Sequence, residues 1–237
     1  MSVEDLKFYL STEQTCSYLA DRSSASVFAD PQGKMTTEIY SALINHGFRR
    51  SANYAYRPHC PSCSSCKPAR IPVDLFKPNR NQKRVWMRNN NVTISEAPAE
   101  YNESHFQLYR KYISHRHTDG EMDHADEQRY IEFLSSDWCD TIFYELKQNG
   151  KLIAVAVTDN LTQGLSALYT FFDPQLANNS LGTLSILWQI EKAKELNKPW
   201  LYLGYWIEES EKMRYKKNFS PLEIWENNEW KILEILK

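Results

Sequence analysis

The chain has 237 residues, 42% of them hydrophobic and 24% charged, with a formal net charge of −2. A chain of that length buries a core without covalent staples. No stretch approaches the roughly 20 apolar residues of a membrane span, and the acidic opening MSVEDLKFYLSTEQ lacks the basic and apolar regions of a secretory signal, so the expectation is a cytoplasmic protein with no membrane partner.

The small net charge hides an asymmetry. Between Ile39 and Ser95 there are ten Lys or Arg residues and one acid, Asp74, giving that segment +9; the remaining eighteen bases and twenty-nine acids sum to −11. A polyanion would meet one face only. The division expected is a basic, cysteine-bearing region over 1–95 and a second domain over 96–237; no feature specifies an oligomeric state.

Along the chain, Thr36 and Thr37 can cap a helix through Ile39, Leu43 and Ile44 that stops at Gly47. GFRRS then starts a loop or strand. Next comes RPHCPSCSSCKPARIP, residues 57–72, which sets Cys60, Cys63 and Cys66 at a strict C-x-x-C-x-x-C spacing. Prolines 58, 61, 68, 72 and 78 exclude a long helix, so the cysteines sit on turns, and RIPVDLF is expected to lead into a strand.

Three thiolates at that spacing match the start of a ferredoxin-type run, but Arg70 stands where its fourth cysteine would fall. Cys16 is the natural fourth ligand, with His59 and His46 as competitors. Zinc and an iron-sulfur cluster both accept four thiolates, and the sequence leaves the two open. The alternative is that some of these thiols are small buried hydrophobes, the reading adopted for lone Cys139.

KPNRNQKRVWMRNNN continues the basic segment, with Lys77, Arg80, Lys83, Arg84 and Arg88 spaced by three or four around Trp86. A helix there gathers several cations on one face, and together they predict phosphate binding that weakens with salt. Phe106, Tyr109, Tyr112 and Ile113 mark an amphipathic helix from Asn102, and ADEQRYIEFLSS a shorter one. TIFYELK and LIAVAVTDN flank Asn149-Gly150, the strongest short hairpin signal, and SALYTFFD is a third strand. Residues 181–197 form a largely apolar helix, and WLYLGYWI a strand buried on both faces. A hairpin followed by strand, helix and parallel strand gives a mixed α/β acyltransferase-like core.

Two details bear on its chemistry. Gly204 interrupts the apolar strand, as a bulge or a close approach requires, and an acyl group could lie against it. The loop before the 181–197 helix has one glycine and no base, whereas a pyrophosphate cradle at a helix N-terminus is Gly-rich and basic. No coenzyme A and no nucleotide cofactor is therefore expected.

CSYLADR (16–22), GFRRS (47–51), YRPHCPSCSSCKPARIPV (56–73), NQKR (81–84), SALYTFFDP (166–174), SLGTLSILWQIEKAKEL (180–196) and YLGYWIEESEKMRYKKNFSPLE (202–223) resemble the aminoacyl-tRNA-protein transferases of the N-degron pathway, the short bacterial aspartate/glutamate leucyltransferases among them. The resemblance implies a GNAT-like core behind an N-terminal cysteine-bearing region. It also implies transfer of leucine from Leu-tRNA to the α-amine of proteins beginning with Asp or Glu, marking them for degradation. The chain departs from its relatives at Ala52, where they more often have glycine.

An acidic acceptor side chain is best read by a bidentate arginine, and Arg49, Arg50, Arg57 and Arg70 are the candidates, with Gly204 beside them. Because the aminoacyl ester is already activated, direct attack by the amine suffices. Tyr169, Asp173 and Tyr205 are expected to line the reacting centre, and Lys212, Tyr215 and Lys216 to contact the tRNA 3′ end. Two other readings compete: transfer of arginine instead of leucine, and a metal-stapled nucleic-acid-binding module without activity. A coenzyme A-dependent acetyltransferase fits the second half of the chain but lacks the phosphate loop.

Overall fold

A computed structural model describes residues 6–116 and 126–234. SHRHTDGEMDH, the polar stretch at 114–124 between the two expected helices, falls mostly outside them. A small N-terminal sheet comes first, with strand order β1 (Phe8–Leu10), β4 (Ser26–Ala29), β6 (Tyr54–Pro58), β5 (Arg49–Ser51). A two-residue ladder, β2 (Gln14–Thr15) with β3 (Ser23–Ser24), holds the loop that carries Cys16. Between β4 and β5 lies α1 (Thr37–Ile44), capped by the Thr36 hydroxyl, which accepts from the Ile39 N–H. Gly47 follows with φ +83°, and a Cβ there would meet Pro68 at 2.8 Å, so both conformation and space require glycine.

The main sheet has eight strands. From one edge its order is β14 (Glu229–Ile232), β13 (Glu223–Glu226), β7 (Lys67–Pro72), β12 (Trp200–Trp206), β11 (Gly164–Phe172), β10 (Lys151–Leu161), β9 (Thr141–Gln148), β8 (Val92–Pro98). The β9–β10 hairpin turns at Asn149 and Gly150, both at positive φ, as a tight turn matched to strand twist requires. All pairs are antiparallel except β11 with β12, which the crossover helix α5 (Leu181–Glu195) makes parallel. The expected hairpin, third strand, helix and parallel strand are all present.

Two expectations change. The strand after the cysteines is Lys67–Pro72 rather than RIPVDLF, because residues 73–76 turn away. It is an inner strand of the main sheet, flanked by β12 and β13. The main sheet runs across the boundary expected at 95/96, since β7 lies before it and β8 (Val92–Pro98) straddles it. Neither β8 nor the C-terminal pair β13–β14 was foreseen.

Helix α5 covers one face through Ile186, Leu187, Ile190 and Ala193, packed on Ala69, Ile71, Leu165, Leu201 and Leu203. A second apolar cluster joins α3 (Glu103–Arg116) and α4 (Glu127–Leu134) to β9, β10 and β11 through Tyr109, Ile113, Tyr130, Leu134, Phe143, Val155 and Phe171. The small sheet and α1 cluster with Leu161 and Tyr202. The remaining helix, α2 (Arg80–Arg88), opens with a reciprocal cap in which Asn79 and Gln82 satisfy each other's backbone N–H.

One irregularity positions the site. The parallel pairing of β11 with β12 covers only Gly164–Ser166 against Trp200–Tyr202. Beyond it both strands are bulged: Leu168 is extra against β10, and Leu203 is extra against β7. Two parallel neighbours thus stop pairing where each also changes register.

Candidate active site

Gly204 sits directly after the β12 bulge at φ +79°. Its carbonyl accepts from Arg49 Nη2 at 3.0 Å, and the same nitrogen reaches the Ala69 carbonyl at 3.1 Å. Arg49 Nη1 lies 3.5 Å from Ser166 Oγ, and its Nε is buried without a hydrogen-bond partner. Arg49 comes from β5, so the small sheet reaches through to the point where β11 and β12 part.

Lys216 approaches the same place from a 3₁₀ turn, Arg214–Asn218. Its Nζ donates to the Tyr205 carbonyl at 2.5 Å, and the residue is 5% exposed. Burial first, and Arg49 second, draw its ammonium down to about 7. The Tyr205 hydroxyl donates to the carbonyls of Gly47 at 3.2 Å and Tyr56 at 3.3 Å, and burial holds it well above the ordinary phenol value.

The cysteines lie beside this cluster. Cys16, Cys60, Cys63 and Cys66 line one cavity of about 450 Å³ with His59, Arg57 and Lys67; His46 does not line it. All four are free thiols. Burial, then the other three sulfurs, pushes Cys66 up to about 12, while the Ser65 backbone N–H and the Arg22 guanidinium pull Cys63 below 9.0. Donor type and shared cavity fit a tetrathiolate centre. Among the described residues, however, no three His, Cys, Asp or Glu side chains are close enough to hold an ion as they stand.

The other expected site residues divide. Arg50 forms a fully buried ion pair with Asp159 at 2.7 Å and also donates to the carbonyls of Ala52, Leu134 and Ser135. Arg70 is clamped between Trp200 and Trp230, 3.6 and 4.1 Å from their ring centres, and pairs with Glu223 at 2.7 Å. Both are committed to the fold, so neither presents a free guanidinium to a substrate. Arg57 is half-buried, stacked on Phe48 and bonded to the His46 carbonyl.

Tyr169 and Asp173 do not join Tyr205. Tyr169 packs on Tyr109, Tyr112 and Phe133, on the α3–α4 side. Asp173 caps the following turn through the Gln175 N–H and pairs with Lys111 at 2.6 Å. Among the expected tRNA contacts, Lys77, Arg80, Lys83, Arg84, Arg88, Lys212 and Tyr215 are exposed, but Lys216 is buried. Tyr56 and Ser166 were not anticipated. They are single residues on strands, and only the packing of the small sheet on the large one brings them to Arg49 and Tyr205.

Two family models match the chain: the N terminus of arginine-tRNA-protein transferase over residues 14–84 and its C terminus over residues 104–226. Proteins named aspartate/glutamate leucyltransferase are similar over nearly the whole length. The one from Alcanivorax borkumensis is 48% identical, covering 95% of this chain and 93% of its own, and the one from Nitrosococcus oceani is 48% identical, covering 96% of each. Among solved structures, L-PGS from Bacillus licheniformis overlaps 60% of this chain and 47% of its own at TM-score 0.46 and 13% identity, a likeness that carries no argument about chemistry.

Proposed function

Since the chain belongs to the arginine-tRNA-protein transferase family, we propose that it transfers leucine from Leu-tRNA to the α-amine of proteins that begin with Asp or Glu. One observation carries this reading: 48% identity, over 95% of the chain, to a protein named for that activity. Radiolabelled Leu-tRNA or Arg-tRNA with peptides beginning Asp, Glu or Gln tests it, and labelling of the Asp and Glu peptides from Leu-tRNA is the expected outcome. Labelling from Arg-tRNA instead would make the enzyme an arginyltransferase.

The amine attacks the ester carbonyl, a tetrahedral oxyanion forms, and the terminal ribose hydroxyl of the tRNA leaves. An α-amine titrates near ~8, so a useful fraction is already neutral at physiological pH. Holding amine and ester in line and donating hydrogen bonds to the oxyanion then supply the rate. We read the parting of β11 and β12 as the place for the aminoacyl ester, with main-chain groups of Ala167–Phe171 as oxyanion donors. The bulges at Leu168 and Leu203 and the half-exposed backbone at Gly204 support that placement. The same hairpin, crossover and parallel strand support a GNAT-like core.

The five bases of residues 77–88 are exposed, and among the described residues none pairs with a carboxylate. With Lys212 and Tyr215 they form the surface we assign to tRNA phosphates. Cys16, Cys60, Cys63 and Cys66 would hold zinc or an iron-sulfur cluster, whose contribution is to organise the loop carrying Arg57 and Lys67. Metal and sulfide analysis of purified protein tests this, and absence of zinc and iron from every preparation overturns it.

A further inference from the structure

Among the described residues the buried arginines, Arg49, Arg50 and Arg70, differ in the kind of partner they have. Arg50 and Arg70 each meet a carboxylate at 2.7 Å. Arg49 and Lys216, both about 5% exposed, hydrogen-bond to main-chain carbonyls, a serine hydroxyl and a thioether, and face the rings of Tyr202 and Tyr215. Among the described residues neither forms an ion pair, and Arg49 Nε is left without any partner. Carbonyl dipoles solvate a cation but do not neutralise it, and a buried charge without a counterion is costly, which is why burial draws the Lys216 ammonium down. A permanent guanidinium and an amine whose charged form lacks a counterion, on the adjacent carbonyls of Gly204 and Tyr205, point to a negative charge supplied from outside the chain.

Space for that charge exists. A Cβ built on Gly204 would find one heavy atom within 4 Å, Lys216 Nζ at 3.7 Å. The position is open apart from the amine, and Gly204 is half-exposed where its neighbours Leu203 and Tyr205 are buried. The free space at Gly204 leads to a nitrogen with donor capacity to spare.

We propose that the acidic side chain of the acceptor's first residue is read over Gly204, its carboxylate resting on Lys216 Nζ in the positive field of Arg49. This rests on the reading of the chain as a transferase for Asp and Glu N-termini, and it assigns Lys216 to the acceptor rather than to tRNA. An amide side chain brings no charge to the two cations, so Asn and Gln lose the interaction. The choice of acid over amide then comes from a counterion deficit built into the fold, not from an exposed arginine fork.

The test is Lys216→Met, with Lys216→Gln and Lys216→Arg in parallel. Leucine transfer is measured with otherwise identical peptides beginning Asp or Asn, and equilibrium binding of the same peptides, dye-labelled at the C-terminus, is read without any transfer. The neutral variants should lower kcat/KM for the Asp peptide by roughly 10- to 100-fold, the worth of a hydrogen bond to a charged group. The Asp-over-Asn preference should fall toward one in both assays, the KM for Leu-tRNA should change less than about twofold, and Lys216→Arg should restore part of the preference. A merely structural lysine would instead lower the melting temperature and leave the preference alone. The wild-type preference persisting in either neutral variant with an unchanged melting temperature overturns the assignment. Wild-type protein that binds the Asp peptide selectively yet transfers no leucine would instead count against the transferase reading and leave this one standing.

Discussion

The ten bases between Ile39 and Ser95 separate into two groups of five that behave oppositely. Those from Arg49 to Arg70 turn inward: Arg50, Lys67 and Arg70 are ion-paired, while Arg49 and Arg57 are bonded to carbonyls. Those from Lys77 to Arg88 are exposed, and among the described residues none meets a carboxylate. Within the inward group Arg49 and Arg50 stitch the small sheet to the large one, while Lys67 and Arg70 tie β7 to β13; the outward group is left for a polyanion. A window of like charge is therefore not a surface, and about half of the +9 is available to phosphates.

Three variants test this division. The largest effect belongs to the inward group. Arg50→Ala strands Asp159 in the core and should cost about 3–5 kcal/mol of unfolding free energy, measured by chemical denaturation. The outward group comes next. Replacing Lys83, Arg84 and Arg88 together by Ala should leave stability nearly unchanged and lower the slope of log K against log salt for Leu-tRNA by roughly 2 to 3. An unchanged slope would mean that tRNA docks elsewhere. At the site itself, Gly204→Ala should cost about 1–2 kcal/mol, because φ +79° is strained for any residue with a Cβ even though the space is open.

A smaller effect tests how the inward group is held. Ala52 has φ +52°, in the left-handed region that favours glycine, and its carbonyl accepts from Arg50 Nη1 at 3.0 Å. Ala52→Gly should raise stability by about 1 kcal/mol through relief of that strain, read as an increase in melting temperature.

Local signals in the sequence were read well and long-range ones were not. Asn149-Gly150 specifies its own turn, Thr36 its own cap, and the apolar run at 200–207 its own strand, because each depends on neighbours a few residues away. By contrast, β7 joins β12 across more than a hundred residues, and nothing near Lys67 announces that an inner strand with two prolines lies there. The candidate site shows the same limit. Gly204 and the cysteines stand out by spacing, but Arg49 and Lys216 are 167 residues apart, and their shared lack of a counterion appears only once both reach Gly204. Tyr169 on β11 and Asp173 just after it are distant from Tyr205 in sequence and do not join it in the fold, because α3 supplies their partners through Tyr109, Tyr112 and Lys111.

Transfer to acidic N-termini is decided by incubating the purified protein at low ionic strength with radiolabelled Leu-tRNA and a peptide beginning with Asp, then with the same peptide beginning with Gln. Label should appear on the Asp peptide and not on the Gln peptide. Intact Leu-tRNA with no label on either peptide, or equal label on both, would contradict such transfer.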